Sequence, residues 1–474
     1  MNILLTGATG YIGQRLLPVL LNEGHTVYCC VRDKLRFNVN KYPQHLNNIK
    51  VIEINFLNSG NLNNVPEDID AAYYLIHSMS VSSGNFEMLE AESAENFKIA
   101  LSKTSVKQVV YLSGIVNDEK LSRHLSSRKN VEHILRSDSY ALTTLRAGII
   151  IGSGSASFEI MRDLVEKLPV MITPKWLNTR SQPIAIRNVI EYLCGVLNNK
   201  DAFYRSFDVG GKDILTYKEM LLIFAKVRKL KRRILVVPVM TPRLSSYWLY
   251  FVTSISYPLA VNLVNSMKVE VICKDDSLQK MLNLNLLDYE SSIKFAFDKI
   301  EHHEVVSSWK DSLTSNILEK GISHYINVPI NGCFIDKRSR KVCDENRSID
   351  KIFSIGGDNG WYYADWLWGL RGFIDKLFGG VGLRRGRKDS QNINTGETLD
   401  FWKVLLASRE EKRLLLYAEM KLPGEAWLEF KIENGFAVQT ATFRPLGLLG
   451  RAYWYSVLPF HGFIFKGMLK KITD

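Results

Sequence analysis

The first thirteen residues constrain the fold of this chain more than any other stretch. Residues 3–5 are apolar and predict a buried parallel strand, and residues 11–21 carry apolar side chains at helical spacing. Glycines at a strand-to-helix turn let the chain bend tightly, let backbone N–H groups approach a pyrophosphate and let the helix pack against the strand. We therefore predict that the positive end of the helix dipole holds a dinucleotide here. The residues of this predicted turn are Gly7, Ala8, Thr9, Gly10, Tyr11, Ile12 and Gly13.

Strand and helix patterns alternate along the residues that follow. Strands are predicted at 25–31, 50–54, 71–76, 108–112 and 143–151, and helices at 86–104 and 123–136. Such alternation is typical of an α/β Rossmann-type fold with a doubly wound parallel sheet, in which ligands bind at the carboxyl ends of the strands. We assign residues 1–300 to this domain, with its core at 1–152 and a substrate-side lobe after it.

The last third of the chain has a different pattern. An aromatic amphipathic helix is predicted at 361–378 and a long apolar helix at 447–468, with strands between them at 401–406, 413–420, 425–432 and 436–443. The pair Asn434 and Gly435 between two alternating runs is a strong signal for a two-residue hairpin turn. Tandem strands before one long helix predict an α+β domain. We place this domain at 331–474, after a polar connector at 301–330.

Charge and cysteine usage narrow the classes of partner. Lys and Arg number 61 against 49 Asp and Glu, which gives a net charge of +12 and suits a phosphate-bearing cofactor or an anionic membrane surface. The basic runs at 226–233, 337–341 and 384–388 are short and accompany no nucleic-acid-binding module, so we expect no nucleic-acid partner.

The six cysteines are scattered without the spacing of metal ligands, so no metal site is predicted. Cys29 and Cys30 lie in one predicted strand and would point to opposite faces of the sheet. They fit a reduced, cytoplasmic protein. The chain enters its first strand at once, so we expect no signal peptide.

One segment raises the question of membrane association. Residues 244–267 carry no charge and are long enough to span a bilayer, although they include several serines and Pro258. A spanning helix and a buried or interfacial helix are both open, and the polar residues favour the second.

Residues at the ends of the predicted strands are candidates for holding the cofactor. Arg32 follows the second strand, where its guanidinium would suit the 2′-phosphate of NADP, while the neighbouring Asp33 keeps NAD as the less favoured alternative. Asn55 and Phe56 follow the third strand, near the expected adenine. His77 follows the fourth, near the pyrophosphate or the nicotinamide.

These motifs resemble the extended and atypical short-chain dehydrogenase/reductase families, including NmrA-like proteins, fused to an uncharacterised C-terminal domain. The resemblance covers nearly the whole chain. In the first domain it is carried by residues 6–13, 112–114, 145–158, 181–185 and 207–211. In the second domain it is carried by residues 360–368, 379–386, 443–451, 453–455 and 458–462.

The resemblance implies NAD(P)-dependent hydride transfer, for which active members use a serine and a tyrosine followed by a lysine four residues later. Ser113 matches the serine. Where the tyrosine and lysine are expected, the chain has His124 and Arg128, whose spacing places both on one helical face. Histidine can transfer a proton near neutral pH, whereas arginine can hold a ribose or phosphate. Turnover and cofactor binding without turnover are therefore both open.

The order of elements in the second domain also resembles START/Bet v 1-like helix-grip domains, which enclose an apolar cavity between a curved sheet and a helix. This resemblance implies a hydrophobic small molecule, such as a lipid or quinone, in the C-terminal domain. The aromatic and glycine content of residues 361–386 and 446–465 motivates the same expectation.

Three functions thus compete at the level of sequence. The first is an NADP(H)-dependent oxidoreductase that acts on an apolar carbonyl or quinone-like substrate. The second is a non-catalytic NADP(H)-binding redox sensor. The third is a lipid-handling or assembly protein that contacts a membrane peripherally, motivated by residues 244–267 and by the excess of basic residues. In each case we expect a cytoplasmic protein, with membrane association in the third.

Overall fold

The computed structural model describes residues 1–32, 34, 37, 39–57, 59–76, 86–115, 123–237, 246–247, 249, 257–301, 328, 333–378, 380, 382–383, 393–445 and 447–474. The chain divides into two compact units, Met1–Asn316 and Ile317–Asp474. Apart from residues 301 and 328, the predicted connector at 301–330 lies outside the described residues.

The first unit contains strands β1 to β13 and helices α1 to α9. The strands are β1 (Asn2–Leu5), β2 (Thr26–Val31), β3 (Ile49–Glu53), β4 (Ala71–Tyr74), β5 (Gln108–Gly114), β6 (Ala141–Ala147), β7 (Ile150–Ile151), β8 (Val170–Pro174), β9 (Arg180–Ser181), β10 (Ile184–Ala185), β11 (Ser206–Val209), β12 (Leu215–Thr216) and β13 (Arg233–Val237). The helices are α1 (Gly13–Asn22), α2 (Phe86–Leu101), α3 (Arg123–Ile134), α4 (Ala156–Lys167), α5 (Ile186–Gly195), α6 (Tyr217–Val227), α7 (Tyr257–Ser266), α8 (Ser277–Leu282) and α9 (Tyr289–Glu301).

A parallel sheet of seven strands is the centre of this unit, in the order β11-β6-β5-β4-β1-β2-β3. All its strand pairs are parallel, which confirms the predicted doubly wound sheet. The predicted strand at 143–151 is two strands, because β7 leaves the sheet and pairs with β10. The edge strand β11 lies outside residues 1–152, which the sequence assigned to the core.

Helices cover both faces of the parallel sheet, as buried strands require. On one face Leu16 and Leu20 of α1 pack with Cys29 in a cluster that also includes α5. On the other face Phe97 of α2 packs with Cys30. The prediction that the two adjacent cysteines point to opposite faces is thereby confirmed.

The remaining residues of the first unit form a lobe with its own apolar core. Its centre includes the rings of Phe158, Phe224 and Phe297, whose centroids lie 5.3–5.4 Å apart. Helix α7 contains most of the described residues of the segment 244–267. It buries Ala260 and Val264 in this core. Among the described residues, no helix is both long enough and apolar enough to cross a membrane.

The second unit is an α+β arrangement, as predicted. Its strands are β14 (Phe334–Lys341), β15 (Thr398–Leu399), β16 (Trp402–Ser408), β17 (Arg413–Ala418), β18 (Gly424–Glu433) and β19 (Phe436–Pro445). Its helices are α10 (Glu345–Phe353), α11 (Asp365–Leu377) and α12 (Gly447–Thr473). The strands form one antiparallel sheet in the order β14-β19-β18-β17-β16-β15.

The hairpin between β18 and β19 has the geometry that its sequence predicts. Glu433 pairs with Phe436, and the two residues between them have positive φ, 53° at Asn434 and 76° at Gly435. Two consecutive positive φ angles define the type I′ turn, whose twist matches that of the flanking strands. This turn fixes the register of the two longest strands in the sheet.

Helix α12 packs against the sheet of the second unit. Phe465, Met468 and Ile472 are buried in the same core as the sheet residues Leu416 and Leu428. Strand β14, which the sequence did not predict, pairs along its whole length with β19. Its inward positions include Asp336 and Arg338, which form an ion pair of 3.0 Å under α12.

Candidate functional site

The carboxyl ends of β1 and β4 are held together by one buried threonine. Thr6 donates its hydroxyl hydrogen to the carbonyl of Tyr73 (2.9 Å) and accepts from the backbone N–H of Leu75 (3.0 Å). The chain proceeds from β1 to β2 on one side and from β4 to β5 on the other, as the strand order shows. This is the topological switch point, where open α/β sheets form a ligand crevice.

The glycine turn after β1 leaves room for no side chain at three positions. Gly7 has φ of 65°, and a Cβ there would lie 2.8 Å from the carbonyl oxygen of Leu75. Gly10 donates its N–H to the carbonyl of Gly7 (2.8 Å), which closes the turn. A Cβ at Gly13 would lie 2.3 Å from the same carbonyl oxygen. The turn therefore requires glycine for backbone conformation and for close packing of α1.

The start of α1 offers hydrogen-bond donors to a ligand. Among the described residues, the backbone N–H groups of Ile12 and Gly13 have no hydrogen-bond acceptor, as is usual for the first turn of a helix. The first turn of α1 contains no acidic residue. Because the helix dipole adds positive potential at this end, the arrangement suits a phosphate. Ala8 is fully buried and Ile12 packs against the same core, so both face the site only through their backbone.

Tyr11 and Arg15 attach the glycine turn to the residues before α4. The Arg15 guanidinium lies 4.0 Å from the centre of the Tyr11 ring and donates to the carbonyl of Ser153 (2.7 Å). The Tyr11 hydroxyl interacts with the side chain of Ser155, and burial raises the pKa of Tyr11 to about 12. Tyr11 is thus neutral at physiological pH, and its role in the structure is to position the turn.

The side chains predicted near the adenosine half of the cofactor differ in exposure and in their contacts. Arg32 is exposed at the end of β2. Asn55 accepts a hydrogen bond from the N–H of Leu57 (3.2 Å) and so closes the turn after β3. The side chain of Phe56 is buried against Phe97, with ring centroids 5.5 Å apart, so its ring belongs to the core and only its backbone borders the site. The predicted contact at residue 77 lies outside the described residues.

The end of β5 brings together two of the three predicted catalytic residues. Ser113 is 3% exposed and lies one residue before Gly114, the last residue of the strand. A Cβ at Gly114 would lie 3.1 Å from Nη1 of Arg128, so the missing side chain makes room for the guanidinium. The Nε of Arg128 is buried and has no hydrogen-bond partner among the described residues. The backbone of His124 lies one turn earlier in α3, and its side chain is outside the described residues.

Buried carboxylates hold α3 in this position. Glu132 is 4% exposed and accepts from Arg146 of β6 (2.8 Å) and from the hydroxyl of Ser206 in β11 (2.8 Å). At the other side of the helix, the hydroxyl of Ser127 donates to the buried carboxylate of Glu90 in α2. Removing a partner from a buried charge is costly, so these contacts fix both the rotation and the depth of α3.

Several residues that shape the site were not predicted from the sequence. Thr6 has a signal that could have identified it, since it is a polar residue directly after an apolar strand and before the first glycine. Arg15 follows Tyr11 by four residues, so the sequence also indicates that the two side chains lie on one helical face. The roles of Gly114 and Glu132 depend on long-range packing and have no local signal.

Comparison with known families agrees with this geometry. Residues 7–154 match a family described as NAD(P)H-binding. The first unit contains an NAD(P)H-binding domain. Residues 332–468 match a family described as protein of unknown function (DUF2867). No curated protein matches the chain.

Solved structures similar to the chain include several nucleotide-sugar enzymes. A nucleoside-diphosphate-sugar epimerase from Staphylococcus aureus is 16% identical, with a TM-score of 0.50 over 62% of this chain and 100% of that one. UDP-glucuronic acid 4-epimerase from Bacillus cereus, in complex with UDP-glucuronic acid and NAD, is 16% identical, with a TM-score of 0.49 over 64% and 99%. UDP-glucose 4-epimerase from Thermotoga maritima is 13% identical, with a TM-score of 0.49 over 64% and 99%. At such identities the likeness concerns the fold alone.

The geometry of the turn predicts the effect of adding one methyl group. Gly7→Ala should lower the affinity for NAD(P)H at least about tenfold, because the new Cβ would push the turn away from Leu75. Gly24→Ala is the matched control, since Gly24 also has positive φ (80°) but has open space around it. Isothermal titration calorimetry measures both affinities, and equal affinities in the two variants would refute this role of Gly7.

Proposed function

We propose that the protein is an NADP(H)-dependent oxidoreductase that reduces an apolar carbonyl or a quinone-like substrate. The observation that carries this proposal is the pairing of two features at one sheet edge. The donor-rich glycine turn follows β1. Two strands away in the sheet, Arg128 lies against Gly114 at the end of β5, one residue after Ser113, and its buried Nε has no hydrogen-bond partner among the described residues. An unpaired buried donor is costly unless a ligand satisfies it.

In this proposal Arg128, Ser113 and His124 have separate roles in binding and proton transfer. The reduced nicotinamide, when bound, supplies a hydride to the carbonyl carbon of the substrate. Arg128 holds a ribose hydroxyl or a phosphate oxygen, because a guanidinium stays charged and cannot exchange a proton at neutral pH. The hydroxyl of Ser113 donates a hydrogen bond to the substrate oxygen. His124 delivers the proton that this oxygen needs after the carbon has accepted the hydride.

The preference for NADP over NAD rests on Arg32. It is exposed at the end of β2, about twenty residues after the glycine turn, where the ribose of a dinucleotide is met in such folds. A guanidinium can bind a phosphate with two parallel hydrogen bonds.

Arg32→Ala should therefore weaken NADPH binding by about ten- to a hundredfold and leave NADH binding within about twofold. The matched control is Arg136→Ala, because Arg136 is another exposed arginine (67% of its side chain) but lies beyond the far end of α3. Fluorescence titration with both reduced cofactors provides the affinities. If the ratio of NADPH to NADH affinity is unchanged, Arg32 does not contact the 2′-phosphate.

The role of His124 can be separated from cofactor binding. His124→Gln should lower NADPH oxidation with a panel of apolar carbonyls and quinones at least about a hundredfold, while NADPH affinity stays unchanged. His133→Gln is the control, because His133 is exposed in the last turn of the same helix. NADPH oxidation is followed by absorbance. A wild-type protein that binds NADPH but oxidises it with none of these compounds would be the non-catalytic sensor instead.

A different observation favours a further proposal, that the second unit holds a hydrophobic ligand as helix-grip domains do. Trp368 and Trp402 bury their indole N–H groups, and Gln439 buries its whole amide at 1% exposure, all without hydrogen-bond partners among the described residues. Buried polar groups in native proteins nearly always have partners, so an apolar molecule with a polar group would complete this interior. A lipid-handling function at a membrane, the third possibility from the sequence, would also require an apolar ligand.

Two matched substitutions test whether a ligand forms hydrogen bonds with the side-chain amide of Gln439. Native mass spectrometry of the wild-type protein should detect a bound apolar molecule, and Gln439→Leu should lose it. Gln108→Leu should retain it, although Gln108 is equally buried, because its amide bonds Thr143 and Val196 in the first unit. If the wild type carries no ligand and Gln439→Leu is more stable by about 1–3 kcal/mol, the amide is simply unsatisfied and the ligand proposal fails.

A further inference from the structure

Helix α11 of the second unit exposes a stripe of large apolar side chains. Trp366, Leu370, Phe373 and Leu377 are 69%, 47%, 55% and 56% exposed. Their spacing of four, three and four residues places them on one face of the helix. The opposite face is buried through Trp368, Gly372 and Asp375. The second unit therefore covers only one face of α11 and leaves the apolar side chains of the other face exposed.

Helix α12 extends this stripe. The ring of Tyr363, just before α11, contacts the ring of Phe463 (5.1 Å), and Arg371 lies 5.2 Å from the ring of Tyr453. The two helices are therefore antiparallel neighbours. Phe460 and Phe463 are 54% and 56% exposed. Phe460 lies seven residues after Tyr453 and three before Phe463, so helical spacing places it on the same side of α12 as these two residues. We call Trp366, Leu370, Phe373, Leu377, Phe460 and Phe463 the aromatic face.

The exposed charges around the aromatic face are mainly positive, and the exposed carboxylate near it, Asp365, is adjacent to Trp366. Helix α12 contains no Asp or Glu over its 27 residues, and its exposed Lys466 and Lys470 follow Phe463 on the same side. The two carboxylates of α11 are engaged within the unit. Asp365 accepts from the N–H of Trp361 (2.7 Å), and Asp375 is buried and accepts from the N–H of Lys421 (2.8 Å).

We propose that the aromatic face docks onto the surface of an anionic phospholipid bilayer. Tryptophan and phenylalanine side chains enter the boundary between headgroups and acyl chains, while nearby lysines attract anionic lipids. A second copy of the chain fits less well, because two such faces would bring the lysines of both copies together. The aromatic face belongs to the second unit, whereas residues 244–267 and the candidate dinucleotide site belong to the first, so membrane docking by this face does not require the proposed enzymatic activity.

Vesicle flotation of the full-length protein tests the proposal. With vesicles of phosphatidylcholine and phosphatidylglycerol the protein should float, and partitioning should fall at least about tenfold in Trp366→Ser, which removes one deeply inserting ring. Lys466→Glu should lower partitioning to phosphatidylglycerol vesicles without removing apolar area, and raised salt should weaken the wild type in the same way. Both positions are exposed, so circular dichroism of the variants should match the wild type.

The control is Tyr204→Ser, since Tyr204 is as exposed as Trp366 (69%) but belongs to the first unit. It should partition like the wild type. The proposal is overturned if the wild type does not float with anionic vesicles, or if Trp366→Ser and Tyr204→Ser behave alike. It is also overturned if Trp366→Ser changes only the sedimentation coefficient of the free protein, because the aromatic face is then an interface between copies.

Discussion

The hydrogen bonds of Thr6 are the interaction on which the first unit depends. They connect the ends of β1 and β4, the two strands from which the chain departs in opposite directions along the sheet. Because Gly7 approaches Leu75 without a side chain, the glycine turn lies directly over this connection. A shift of either strand would move the backbone N–H groups at the start of α1. The geometry of the candidate phosphate site is thus a consequence of how two parallel strands are joined, and not of the turn alone.

Much of this architecture could be predicted, because its signals are local. The buried strands are short apolar runs, the helices have apolar stripes, and Asn434 with Gly435 specifies its own turn. Strand β14 lacks such a signal, since its inward positions include Asp336 and Arg338, which neutralise each other under α12. Hydrophobic periodicity cannot detect a strand whose inward residues are an ion pair.

Some residues of the candidate site likewise have local signals in the sequence, and others do not. Residues within a few positions of a strand end could be named from the sequence, as Ser113 and Arg32 were. Phe56 was predicted near the adenine, but its ring packs against Phe97 of α2 in the core. A residue after a strand can point either to the site or to the core, and the local sequence does not decide between them. The space at Gly114 for Arg128 depends on two elements that pack only in the folded unit.

The position of α3 shows why the pair His124 and Arg128 deserves functional tests despite the unusual residue types. A surface helix needs no buried carboxylate, yet α3 is held by Glu132 on one side and by Glu90 on the other. Replacing a buried ion pair, such as Glu132 with Arg146, by apolar contacts is often neutral or stabilising, and a buried carboxylate bound only to a hydroxyl also adds little stability. Such carboxylates are effective for fixing orientation, because each carboxylate accepts only where donors converge. An orientation fixed in this way places the guanidinium of Arg128 against Gly114, at the edge where the glycine turn presents its donors.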